Sequence, residues 1–90
     1  MRRLAGKAEC CGRKIWYYMI SERNGENLSF GLSVVYRDEE VRIPAVTMVY
    51  GDIRALLTRM KRGKVTPVAV RDVIEDWVLD FSCNFAWDFV

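Results

Sequence analysis

From Leu28 to Arg37 the chain alternates without a break. Leu28, Phe30, Leu32, Val34 and Tyr36 fall on one parity, and Ser29, Gly31, Ser33, Val35 and Arg37 on the other. A period of two belongs to a β-strand with one buried face, so this chain must build a sheet and cover it. The preceding Ile15-Trp16-Tyr17-Tyr18-Met19-Ile20 is aromatic and β-branched with both parities apolar, which suits a central strand. Between the two runs lies Asn24-Gly25, a pair able to take the positive φ values of a tight hairpin. Asp38-Glu39 supplies a second turn. Glu40-Val41-Arg42-Ile43 resumes alternation as a third strand, which Pro44 confines to an edge or an ending.

The period then changes. Thr47 is placed to cap a helix, and Val49, Ile53, Leu56, Leu57 and Met60 recur at helical spacing, which predicts a first helix over about 48 to 62. Lys61 and Arg62 suit its negative C-terminal end, and Gly63 is the residue expected just past it. Thr66-Pro67 restarts a helix. Val70, Val73, Ile74, Trp77, Val78 and Phe81 form its apolar stripe, giving a second helix over about 67 to 80.

Ninety residues suit one hydrophobic core. The expected fold is therefore a single α+β domain over residues 14–90: a three-stranded antiparallel meander (about 15 to 22, 28 to 37 and 40 to 46) followed by two helices packed on one face. Residues 1–13 carry charge and two glycines without periodicity, and read as a flexible basic arm. The C-terminal residues include Phe85, Trp87, Phe89 and Val90, an aromatic tail that either docks back as core or binds something. The longest apolar run, Ile15 to Ile20, is far short of the ~20 residues a membrane-spanning helix needs. No secretory signal pattern follows the basic start, so a cytoplasmic address is expected.

Several chemistries lack their residues. With no histidine, the commonest general base and neutral metal ligand is missing, and with it triads and mixed Cys/His zinc sites. Cys10, Cys11 and Cys83 are odd in number and two are adjacent, an arrangement that argues for free thiols over a disulfide framework or a metal site. The scattered glycines form no phosphate-cradling motif. Of the close carboxylates, Glu39-Glu40 lie on a turn and Asp72/Asp76 on an open helix face, settings that do not suit general acid–base chemistry. The expectation is a protein that is not an enzyme and needs no cofactor or metal.

The net charge of +2 conceals alternating blocks: +4 over residues 1–14, −2 over 15–50, +4 over 51–66 and −4 over 67–90. Oppositely charged blocks pair internally or face different partners.

The order of an aromatic strand (Trp16-Tyr17-Tyr18), an Asn/Gly hairpin, Phe30-Gly31-Leu32, a helix, Thr66-Pro67-Val68 and Val70-Arg71-Asp72-Val73-Ile74-Glu75-Asp76-Trp77 resembles a group of short proteins from Clostridia-type Firmicutes that make up a domain of unknown function. The resemblance covers about residues 15–80, and the Pro-Val and Val-x-Asp-Val-Ile-Glu-Asp-Trp segments are its most specific part. It implies a β-then-α layout and a bacterial source, and carries no catalytic residue across.

Two surfaces compete as sites. Asp72, Asp76 and Asp80 recur every four residues, stacking like charges that each cost an isolated helix about 0.2 to 0.5 kcal/mol; internal pairing with Arg54, Lys61 or Lys64 is one way to offset them, a basic partner another. Together with Phe85, Trp87 and Phe89 they define the expected protein-binding surface. The function that follows is a non-enzymatic protein-binding module, a small adaptor or inhibitor of the kind mobile elements encode, acting on a nucleic-acid-processing protein. Self-association through the tail, giving a homo-oligomer, uses the same aromatics. The alternative is nucleic-acid binding through Arg2, Arg3, Arg13 and Lys14 of the arm with Arg54, Lys61 and Lys64 of the first helix. Groove reading by the second helix is disfavoured by its acidity. Trp16, Tyr18 and Tyr36 are able to stack unpaired bases if their sheet face is open.

Overall fold

The computed structural model describes the backbone of residues 1–87 and the side chains of residues 1–79. Four antiparallel strands, β1 (Arg2–Cys10), β2 (Arg13–Asn24), β3 (Asn27–Tyr36) and β4 (Glu39–Thr47), precede α1 (Tyr50–Arg62) and α2 (Pro67–Trp87). The strands lie in chain order, so the sheet is a pure meander.

The sheet has four strands and not three. Residues Arg2–Cys10, read from the sequence as an arm, pair along β2 from Arg2 opposite Ile20 to Cys10 opposite Arg13. The hairpin that returns them is Cys11-Gly12, with φ of 53° and 77°, the doubly left-handed pattern of a type I′ turn. The register slips between Leu4 and Gly6, and this bulge is why no period of two shows in the sequence. Small and charged side chains fill both faces beyond it.

The second hairpin also differs in detail. Asn24 pairs with Asn27, so the loop is Gly25-Glu26, and only Gly25 of these two has positive φ, at 67°. That is the pattern with glycine in the first central position, not Asn-Gly in the centre.

β4 meets β3 with a wider irregularity. Phe30 pairs with Thr47 and Leu32 with Ile43, so Pro44, Ala45 and Val46 stand opposite Gly31 alone. A Cβ on Gly31 would collide with the Ile43 carbonyl and sit 2.6 Å from Pro44 Cα. The glycine admits the bulge, and Pro44 sits on an edge strand, where the missing N–H costs no ladder bond.

Both helices cover one sheet face. Ile15, Tyr17, Phe30, Leu32 and Val34 meet Ile53, Leu56, Leu57, Met60 and Val70 in one core, with Val73, Ile74 and Trp77 partly buried against it. Tyr36, Val41 and Ile43 border the same cluster. Three residues expected to face the core do not: Leu28 is exposed beside the hairpin, Val49 is exposed ahead of α1, and Val78 is exposed on α2. Thr47 does not cap α1. Its Oγ1 accepts from Val49 N at 3.1 Å, a turn one step early, and Val49 takes the N-cap position without a side-chain cap.

At the other end α1 closes with Val65 N donating to Met60 O and Lys64 N to Lys61 O, the Schellman arrangement. Gly63 is the cap residue but has φ of −82°. The left-handed position falls one later, on Lys64 at 51°. Tyr17 locks this end to the sheet, its hydroxyl donating to Val65 O at 2.8 Å and Met60 O at 3.3 Å. α2 runs beyond residue 80 with no glycine or proline after Pro67 to stop it. Among the described residues no helix is long and apolar enough to cross a membrane.

Candidate nucleic-acid interface

Among the described residues both helices pack on the same sheet face, and on the other face Ile20 and Ser33 are buried while Trp16 and Tyr18 are partly exposed. Register places Lys7 opposite Trp16 and Leu4 opposite Tyr18, then Trp16 opposite Val35 and Tyr18 opposite Ser33, and Arg42 and Glu40 beyond them on β4. Trp16 and Tyr18 are therefore central on the open face, and both are half-buried.

Cations surround these rings. Lys7 Nζ and Lys14 Nζ each lie 5.9 Å from the Trp16 ring centroid, within cation–π range. Arg13, Lys14 and Arg37 line a shallow hollow with Trp16 and Val35, and no carboxylate borders it. Arg37 holds φ of 56° in the β3–β4 turn, a left-handed geometry that side chains other than glycine adopt at a cost. Tyr18 is shielded. The Arg2 guanidinium lies 4.1 Å over its ring, and Arg2 Nη1 donates to Glu40 Oε1 at 3.2 Å. Ser33, fully buried, donates through Oγ to the same oxygen at 3.1 Å. With the Arg2 and Glu40 side chains 44% and 48% exposed, this pair is held weakly.

The basic residues singled out in the sequence are divided by the alternation of β1. Arg2 goes to the open face and Arg3, opposite Met19, to the helix side. There Arg3, Arg54 and Lys61 line a groove together with Leu57 and Thr58. Arg54 and Lys61 thus flank the apolar side of α1. Lys64 lies apart at the end of α1, near enough to Cys10 to lower that thiol's pKa. The larger effect on Cys10 comes from Cys11: the Cys10 Sγ–Cys11 Sγ contact at 3.8 Å raises its pKa, so the thiol is a poor nucleophile at neutral pH.

Tyr36 does not join Trp16 and Tyr18. It pairs with Ile15, on the helix-covered face, and donates its hydroxyl to Cys10 O at 3.2 Å. Lys7 was not among the sequence candidates, because its place beside Trp16 follows only from the β1 register.

Asp72 and Asp76 are exposed on α2, and no salt bridge reaches either among the described residues. The side chains of Asp80, Phe85 and Trp87, and all of Phe89, lie outside the described residues. No three His, Cys, Asp or Glu side chains among the described residues cluster closely enough to hold a metal ion.

No curated protein and no solved structure matches the chain. A family model does, over residues 1–80. The match takes in β1 as well as the segment from residue 15 that carried the resemblance, so the basic first strand is part of the shared domain. The chain belongs to the family of unknown function DUF6514.

Proposed function

We propose that the protein is a non-enzymatic binding protein that holds single-stranded nucleic acid across the open face of its sheet. Trp16 carries this reading: it is a partly exposed indole, central on the sheet face away from the helices, with Lys7 and Lys14 each 5.9 Å away and Arg13 and Arg37 around it. Single-strand binders combine π faces for unpaired bases with cations that follow the phosphates, and open four-stranded sheets are a common platform for both. A first base stacks on Trp16. Tyr18 becomes a second platform when a phosphate draws Arg2 away from Glu40.

The competing reading, a protein partner docked on Asp72 and Asp76, is supported by two exposed carboxylates one turn apart. Fluorescence anisotropy separates the two. A labelled twelve-nucleotide oligouridine, its DNA counterpart and a blunt duplex are titrated with the protein at low salt. Binding to the single strands over the duplex, weakened about five- to hundredfold by Trp16→Ala, supports the sheet-face reading. Absence of single-strand binding, or an unchanged affinity in Trp16→Ala with unchanged circular dichroism, removes it and leaves the acidic surface as the site to pursue.

A further inference from the structure

A groove of about 310 Å³ lies between β1 and α1, on the helix side of the sheet. Its floor is apolar, made by the buried Tyr17 and Leu57. One wall is the bulged stretch Leu4–Gly6 of β1, and the other is a stripe of α1 in which Tyr50, Arg54, Thr58 and Lys61 follow at intervals of four, four and three residues, the spacing of one helix face. Arg3 closes the β1 side.

Arg3, Arg54 and Lys61 all line this hollow, and no carboxylate does. Three like charges around a partly apolar cavity repel one another unless an anion joins them. The fold also makes room for one of them. The Lys61 stem lies against β1, its Cδ 2.8 Å from where a Cβ on Gly6 would stand. Tyr50 is itself held, edge-on to Phe30 with centroids 5.6 Å apart, and the Arg54 guanidinium lies 5.8 Å from its ring.

The groove thus joins cations, a hydroxyl and a fixed aromatic wall in a volume at the lower end of the ~300 to 1,000 Å³ typical of small-molecule sites. We propose that it binds a nucleoside monophosphate, the phosphate taken by Arg3, Arg54 and Lys61 and the base placed against Tyr50. The bidentate fork of an arginine matches a phosphate's oxygens, and lysine adds a point charge. This site shares no charged residue with the open face around Trp16 and stands whether or not a nucleic-acid strand binds there.

Isothermal titration calorimetry of the full chain at low ionic strength tests it, with adenosine 5′-monophosphate, uridine 5′-monophosphate, adenosine and inorganic phosphate as separate titrants. The expected result is saturable binding of at least one monophosphate, at least about tenfold tighter than inorganic phosphate or adenosine. Arg54→Gln with Lys61→Gln weakens it by about tenfold or more. Trp16→Ala leaves it unchanged, so loss of the open-face reading and loss of this one are told apart. The proposal is overturned if no monophosphate binds, if inorganic phosphate binds as well as the nucleotides, or if the Arg54/Lys61 double variant binds them normally.

Discussion

Gly31 and Tyr17 show how much of the sheet rests on single atoms. Ser29, Gly31 and Ser33 mark the polar parity of β3 in the sequence, but only the packing shows that Gly31 is where three β4 residues oppose one. Gly31→Ala places a methyl against β4 backbone, which has no rotamer to change, and is expected to destabilise the fold by about 1 to 3 kcal/mol; urea unfolding measures it. Tyr17 reads from the sequence as an apolar strand residue. Its hydroxyl has the further role of holding Val65 O and Met60 O, so Tyr17→Phe is expected to cost about 0.5 to 1.5 kcal/mol at neutral pH. Burial, and then the nearby Cys10, push the Tyr17 phenol from 10.0 to about 12. A raised pKa favours the protonated phenol in the folded state, so its contribution is complete below pH 10 and is lost as the pH rises through 12. The stability gap between the protein and Tyr17→Phe is therefore expected to shrink across that interval. A gap that stays constant, measured by denaturant unfolding at each pH, would contradict the buried donor role.

At the scale of elements, β2, β3, β4 and both helices were legible because their apolar positions repeat at two or near 3.6 residues. β1 was not. Its bulge between Leu4 and Gly6 breaks the period, and its helix-side positions Gly6, Ala8 and Cys10 are small and contact α1 or the core without a long apolar stripe. The signal that was present is Cys11-Gly12, a two-residue turn ahead of a strong strand, whose mate can only precede it. Hairpin chemistry was legible in type and shifted in position. Gly25, at φ of 67°, makes Gly25→Ala destabilising by about 1 to 2 kcal/mol. The end of α1 predicts the reverse sign. Lys64 occupies the left-handed position of the Schellman cap, so Lys64→Gly is expected to raise stability by up to about 1 kcal/mol, read as a higher melting temperature. A lower one would contradict that assignment of the cap.

In the whole molecule, one helix layer on a four-stranded meander closes one side of the sheet, and among the described residues no helix packs on the other. Composition gave the basic charge of residues 1–14, but a strand distributes its side chains alternately, so Arg2 and Lys7 reach the open face while Arg3 reaches the groove against α1. Trp16 and Tyr18 were visible as aromatics able to stack bases, and their exposure depended on which parity the helices chose to cover. That choice follows from β3, whose Phe30, Leu32 and Val34 are buried and share a face with Tyr17 and Met19 through the β2 register, leaving Trp16 and Tyr18 on the other parity of β2, partly exposed beside the buried Ile20. The central claim is that this outward face holds a single strand by stacking on Trp16 and by the charges of Lys7, Arg13, Lys14 and Arg37. Its most direct test is the salt dependence of oligouridine affinity. Each phosphate neutralised contributes about −0.7 to the slope of log K against log salt for a single strand, so four such cations predict a slope of about −3, reduced to about −1.5 by Lys7→Gln with Lys14→Gln. A slope near zero, or one that the double variant leaves unchanged, would contradict it.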